Sequence, residues 1–254
     1  MVGTGRLFVY LHIPKAGGNT VRAVLESVFG AAAWRDYFVE RRLGPPDGPA
    51  DDDVLGRRLA DIAREIAGTP LLQGVGINVP YGLHEYLDRP VRYFTVLREP
   101  LGRLRSYWRF AYRTRDRKPR WATYQRYGFD ISAILADRVD PGLCNQQTRM
   151  VAGTDDYHLG PAHLELAMHR IAHDFAAVAD VAGLDQALPL LFGHRWRPHW
   201  RVPRFNVGDG EASPPLSPAD VATLATANHL DIQLYTWFRD SYLPRHGERP
   251  CSGW

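Results

Sequence analysis

The stretch Leu7-Phe-Val-Tyr-Leu-His-Ile-Pro-Lys-Ala-Gly-Gly-Asn-Thr20 limits what this chain can fold into more than any other. Its apolar run reads as a buried strand, its glycine pair as a tight turn, and Val21 to Phe29 as the helix that follows. A strand feeding a helix through such a turn gathers unpaired backbone N–H groups and the positive end of the helix dipole at one point. That is an anion site. Lys15 adds a full charge there, and Thr20 a hydroxyl at the helix entrance. Of 31 basic residues, 29 are arginine, and Lys118 is the other lysine. A chain built on arginine thus places a compact, movable ammonium at the turn. The plainer alternative is an ordinary βα turn carrying a surface lysine.

The 254 residues suffice for one sizeable α/β domain or two small ones, and a single domain over 1–254 is expected. Hydrophobic content of 45% and charged content of 23% are ordinary for a globular chain. A net charge of +3 does not by itself imply nucleic acid. Charge is local instead: nine basic residues lie between Arg98 and Arg120, against Glu99 and Asp116. No basic segment followed by an apolar run opens the chain, and no apolar stretch reaches membrane-spanning length, so a cytoplasmic protein without a membrane span is expected. Cys144 and Cys251 form neither a disulfide framework nor a zinc site.

Further along, residues 44–53 hold three prolines, two glycines and a cluster of aspartates, which predicts a loop. Val54 to Ala67 has helical apolar spacing, Leu71 to Gly76 suits a short strand, and Pro80-Tyr-Gly-Leu-His84 is a loop that delivers a histidine, with a short helix to Leu87. Arg92 to Leu97 is a second buried strand; it ends in Arg98-Glu-Pro100 and leads into a helix over Leu101 to Tyr112. Ser106 lies eight residues beyond Arg98, about two helical turns away. In a parallel sheet the C-terminal strand ends share one edge, so Lys15, Arg98 and Ser106 are placed to meet over one polyanion.

Residues 112–127 mix arginines with aromatics and read as a loop or solvated surface segment, with a single-stranded nucleic-acid platform as the weaker alternative. Helices are expected over Phe129 to Asp137, near Asn145 to Arg149, over Pro161 to Phe175 and over Leu184 to Phe192, with a short strand at Ala176 to Val181. His169 and His173 share helical spacing, but no glutamate follows the first and no third ligand is near, so a solvated face is expected rather than a metal site. Residues 208–218 read as a loop, Pro218 to Phe238 as a final helix, and 244–254 as a tail.

The triphosphate loop G-x-x-x-x-G-K-[ST] is absent because the lysine precedes the glycines, and G-x-G-x-x-G is absent as well. His12-Ile-Pro-Lys-Ala-Gly-Gly-Asn-Thr20 resembles instead the 5′-phosphosulfate loop of the heparan-sulfate 2-O/6-O-type sulfotransferases and their bacterial relatives. Thr95-Val-Leu-Arg-Glu-Pro-Leu-Gly-Arg-Leu-Arg-Ser-Tyr107 resembles that family's 3′-phosphate segment, and Pro80 to His84 its histidine loop. Asn145-Gln-Gln-Thr-Arg149 and Asn228 to Tyr235 also look like family segments.

The resemblance implies a three-layer α/β fold with a central, mostly parallel sheet and a P-loop-like strand–turn–helix. It implies sulfuryl transfer from 3′-phosphoadenosine 5′-phosphosulfate (PAPS), without a metal, to a hydroxyl or amine of a sugar-containing or small natural-product acceptor. Lys15, Ala16, Gly17, Gly18, Asn19 and Thr20 would hold the phosphosulfate, with Lys15 neutralising charge on the leaving oxygen. Arg98 and Ser106 would hold the 3′-phosphate. His84 would be the base, while His12 is expected to pack and hydrogen-bond. Ala16 stands where the family loop usually has threonine, Asn19 where it has a hydroxyl residue, and Asn78 where relatives often have histidine. Two other readings stay open: a non-catalytic nucleotide- or polyanion-binding module, and an ATP-dependent phosphotransferase.

Overall fold

The computed structural model describes residues 5–38, 53–114, 119–197, 200–203 and 215–246. Its first half alternates strand and helix: β1 (Leu7–Leu11), α1 (Gly18–Phe29), β2 (Trp34–Tyr37), α2 (Val54–Ala67), β3 (Gly74–Ile77), a 3-10 turn (Leu83–Tyr86), β4 (Val91–Leu97) and α3 (Pro100–Arg113). Then follow α4 (Pro119–Arg126), α5 (Ile131–Ala136), α6 (Gln146–Val151), α7 (Pro161–His173), β5 (Phe175–Asp180) and α8 (Leu184–Phe192). The chain closes with α9 (Pro218–Ala227), α10 (His229–Trp237), a π-type turn (Phe238–Tyr242) and α11 (Leu243–His246).

The sheet is parallel throughout, in the order β2-β3-β1-β4-β5, with β1 central and fully buried. The alternation of side chains along β1 builds two layers at once. Phe8 and Tyr10 pack with Val21, Val24 and Leu25 of α1 and with Leu184, Leu188 and Phe192 of α8. Leu7, Val9 and Leu11 face the other way, against Leu59, Ile62 and Ile66 of α2, Ala167 and Ile171 of α7, and Leu234 of α10. The result is a three-layer α/β fold, as expected. A third apolar cluster lies apart from the sheet, where Leu104, Tyr107 and Trp108 of α3 meet Tyr124 of α4, Ile131 and Ile134 of α5 and Leu224 of α9.

Local chemistry sets the helix starts. Pro100 occupies the first turn of α3, and the Glu99 carboxylate accepts from the Leu101 and Gly102 amides. Ser217 and Asp220 cap α9 reciprocally, with Pro218 between them.

The structure departs from the expectations at several points. β2 was not anticipated, because its two central residues are polar and its buried ones, Trp34 and Tyr37, lie at its ends. The third strand begins at Gly74 rather than Leu71, whose side chain is 72% exposed. The helix expected through Phe175 stops at His173, and Phe175 opens β5. The segment expected as a loop over 112–127 is largely helical: α3 runs to Arg113, and α4 buries Tyr124 completely. The final helix divides at Asn228, whose side-chain amide bonds the Leu224 and Leu143 carbonyls. Residues 44–52, 204–214 and 247–254 of the expected loops and tail lie outside the described residues, while Leu243–His246 forms a helical turn.

Candidate anion site at the ends of β1 and β4

The strand order reverses direction between β1 and β4. The chain leaves β1 towards β2 on one side, and leaves β4 towards β5 on the other. In parallel sheets the crevice at such a switch point, outside the C-terminal strand ends, is where ligands bind. His12 follows β1 there, Asn78 follows β3, and Arg98 follows β4.

The turn after β1 uses two left-handed residues, Lys15 at φ 70° and Gly17 at φ 76°. Gly17 also has little room for a side chain: a Cβ would stand 3.1 Å from Leu184 Cδ1. At Gly18 the imidazole of His12 fills the space a Cβ would take. Ala16 is fully buried in the core, so it offers the anion only its backbone. Among the described residues no side chain caps α1, which leaves the amides of its first turn open to a ligand. Asn19 is exposed beside them. The Thr20 hydroxyl, expected on the anion, instead donates to the Pro203 carbonyl at 2.9 Å.

Arg98 closes the other side. Its Nη1 donates to the Lys15 carbonyl at 3.1 Å, tying the two strand ends together. The Lys15 ammonium lies 4.3 Å over the ring of Phe110. Ser106 sits one turn earlier on α3 than Phe110, on the same helix face. Burial first, and then Arg113, Arg98 and Arg120, push Lys15 down to about 8. The three charged groups that act on it are thus all cations. Arg120 is held in place by Asp140, a buried carboxylate that also accepts from the Tyr107 and Tyr124 hydroxyls and the Gly142 amide. The structure therefore brings Lys15, Arg98 and the Ser106 face of α3 together.

Support for Arg98 comes from far along the chain. The Gln147 side chain pairs with both the N–H and the C=O of Arg98, each at 2.9 Å. Asp231 of α10, itself fully buried, accepts from the Gln147 and Thr148 amides and the Thr148 hydroxyl. Asn145 and Asn228 complete the junction, and the buried Arg103 and Arg149 bind the carbonyls of Gly142 and Pro141. Sequence reading marked Asn145–Arg149 and Asn228–Tyr235 as segments but assigned them no task. Besides the resemblance, their signal is a density of amides and charges, with Gln146, Gln147, Arg149 and Asp231 among them.

His84 is not part of this contact set. It lies halfway along the β3–β4 crossover, with its backbone N–H and its Nδ1 at 3.0 Å and 3.2 Å from the Tyr93 hydroxyl. Tyr93 pairs in register with Val9, roughly 16 Å back along β4 from Arg98. Tyr93 is 2% exposed, and among the described residues Nδ1 is the acceptor open to its hydroxyl proton. Leaving that proton unpaired would cost about 1–3 kcal/mol. The network thus places the His84 proton on Nε2.

His169 and His173 stack at 4.3 Å on α7, and among the described residues no cluster of metal-ligating side chains forms. Burial pushes the Cys144 thiol up, and it donates to the Ala227 carbonyl. Cys251 lies outside the described residues. No described helix is long and apolar enough to cross a membrane. The chain matches no protein-family model and no curated protein sequence.

Proposed function

We propose that this chain is a sulfotransferase that moves a sulfuryl group from PAPS to a hydroxyl or amine of a sugar-containing or small-molecule acceptor. The observation that carries the reading is the bond between Arg98 and the Lys15 carbonyl, which couples two cationic positions on neighbouring strand ends. A donor with anionic groups at both ends needs such a pair. Lys15 and the open amides of Gly17, Gly18, Asn19 and Thr20 would take the phosphosulfate, and Arg98 with Ser106 the 3′-phosphate.

The acceptor oxygen or nitrogen bonds to sulfur while the bridging S–O bond breaks. The electron pair leaves with 3′-phosphoadenosine 5′-phosphate, where the Lys15 ammonium meets the growing charge. The acceptor's proton passes to a base; His84, bonded to Tyr93 apart from the Lys15–Arg98 pair, takes that part only if bound donor and acceptor bring the reacting atom to its imidazole.

A phosphotransferase using Mg²⁺–ATP is the rival reading. It would need a strand-end carboxylate for the metal. Among the described residues, Glu99 at the end of β4 caps α3, and Asp180 at the end of β5 is already bonded by the Tyr235 hydroxyl and the Ala182 amide.

Calorimetry with 3′-phosphoadenosine 5′-phosphate, PAPS and ATP, with and without Mg²⁺, tests the proposal. Binding of the 3′-phosphorylated ligands in preference to ATP is expected. Binding of ATP alone, tighter with Mg²⁺, would sink it. Tight binding of PAPS without transfer to any hydroxyl or amine acceptor would make the chain a binding module.

A further inference from the structure

We propose that His12 is an anion-binding residue of the turn, a neutral imidazole that donates Nε2–H to the group held at the start of α1. The proposal rests on the anion site of the function proposed above, and three observations support it.

The ring lies against Gly18, the first residue of α1, so closely that only glycine fits there. Phe38 covers the ring at 5.0 Å. The site thus spends a helix-weakening residue on seating an imidazole beside the open amides.

The hydrogen-bond accounting fixes which nitrogen carries the proton. Tyr10 is fully buried, and its hydroxyl lies 3.3 Å from His12 Nδ1, its polar partner among the described residues. A buried hydroxyl proton needs an acceptor, so Tyr10 donates, Nδ1 accepts and Nε2 holds the hydrogen. Among the described residues the His12 side chain forms one hydrogen bond, through Nδ1, which leaves Nε2 to a ligand.

The ring is also held neutral. Burial first, then Arg22 and Lys15, push His12 down to about 4. At neutral pH the imidazole is therefore a fixed dipolar donor that adds no repulsion to Lys15 and Arg98. A lysine or arginine in its place would crowd a site already rich in cations.

Calorimetry of the full chain with two probes, 3′-phosphoadenosine 5′-phosphate and inorganic pyrophosphate, tests the assignment. His12→Phe keeps a ring against Gly18 but has no donor, and His12→Gln restores one. We expect His12→Phe to bind both probes about tenfold more weakly, and His12→Gln to recover most of the loss. A folded His12→Phe variant that binds as tightly as the wild type overturns the proposal.

Nitrogen-15 NMR of histidine-labelled wild-type protein supplies a readout that does not depend on a variant folding. The Nε2–H tautomer supports the proposal, and the Nδ1–H tautomer overturns it. If the wild type binds pyrophosphate but not the nucleotide, the sulfuryl-donor reading falls, while weaker pyrophosphate binding by His12→Phe still supports the His12 assignment. A wild type that binds neither probe overturns both.

Discussion

The Lys15 ammonium stands over the ring of Phe110 at 4.3 Å, so the sole lysine of the β1 turn rests on the helix that Arg98 introduces. A ring face attracts a cation without neutralising it. The charge stays available, and a bound anion is its natural partner.

Lys15→Ala is therefore expected to lower transfer at least about 10²-fold while the fold persists, because the lost term is charge stabilisation on the leaving oxygen. Lysine and alanine both carry a Cβ at this left-handed position, so the substitution adds little backbone strain. Activity with a generic hydroxyl acceptor, read beside a urea melt, checks both parts. Full activity in the variant removes the central role of the lysine.

The depressed lysine carries a pH signature. Folding lowers Lys15 from about 10.5 to about 8, so the free protein should gain stability as pH rises between those values. An anion at the turn favours the ammonium and reverses the effect. Binding of 3′-phosphoadenosine 5′-phosphate should weaken as pH climbs through about 8. Calorimetry just above that pH, in two buffers of different ionisation enthalpy, should report proton uptake, and Lys15→Met should abolish it.

Arg98→Lys keeps the charge but loses the planar fork. It should weaken the 3′-phosphorylated nucleotide about tenfold or more and leave adenosine 5′-phosphate nearly unaffected, since only the former carries the 3′-phosphate. Equal loss for both ligands would move Arg98 to a purely structural task at the Lys15 carbonyl.

His84→Ala should reduce turnover with donor affinity nearly kept. Tyr93→Phe removes the hydroxyl proton that holds Nδ1 as an acceptor. A base at His84 should then show a shifted pH–rate profile. Profiles of both variants matching the wild type would place the base elsewhere.

Asp231→Ala should destabilise the fold by about 3–5 kcal/mol, because three buried donors on Gln147 and Thr148 lose their acceptor. The urea midpoint measures it. Asp231→Asn, which keeps one acceptor oxygen, should lie between the two.

The parts of this molecule that were legible in sequence are those that local patterning dictates. Val54 to Ala67 shows its apolar stripe directly, and α2 has those bounds; Leu184 to Phe192 behaves alike. The turn and the Arg98 junction were legible because strand, proline, glycine and charge follow one another without a gap. β2 was not, since a four-residue strand with Arg35 and Asp36 at its centre has no periodicity to detect. Nor was the burial of Ala16, the bond from Thr20 to Pro203 or the retreat of His84 to Tyr93, because each depends on residues distant in the chain. The Asp140 carboxylate gathers Tyr107, Arg120 and Tyr124 in the same way, from a region that reads as a solvated surface when its residues are taken singly.

The hold of Gln147 on Arg98, and of Asp231 on Gln147, has a consequence for synthesis. The glycine turn leaves the ribosome well before the carboxylate that fixes α6 beneath Arg98. Until α10 emerges, the N-terminal strands have a turn but no second anchor. Ligand affinity should thus be acquired only once α10 is made, and a chain cut short before Asp231 should carry every residue of the cradle and still bind poorly.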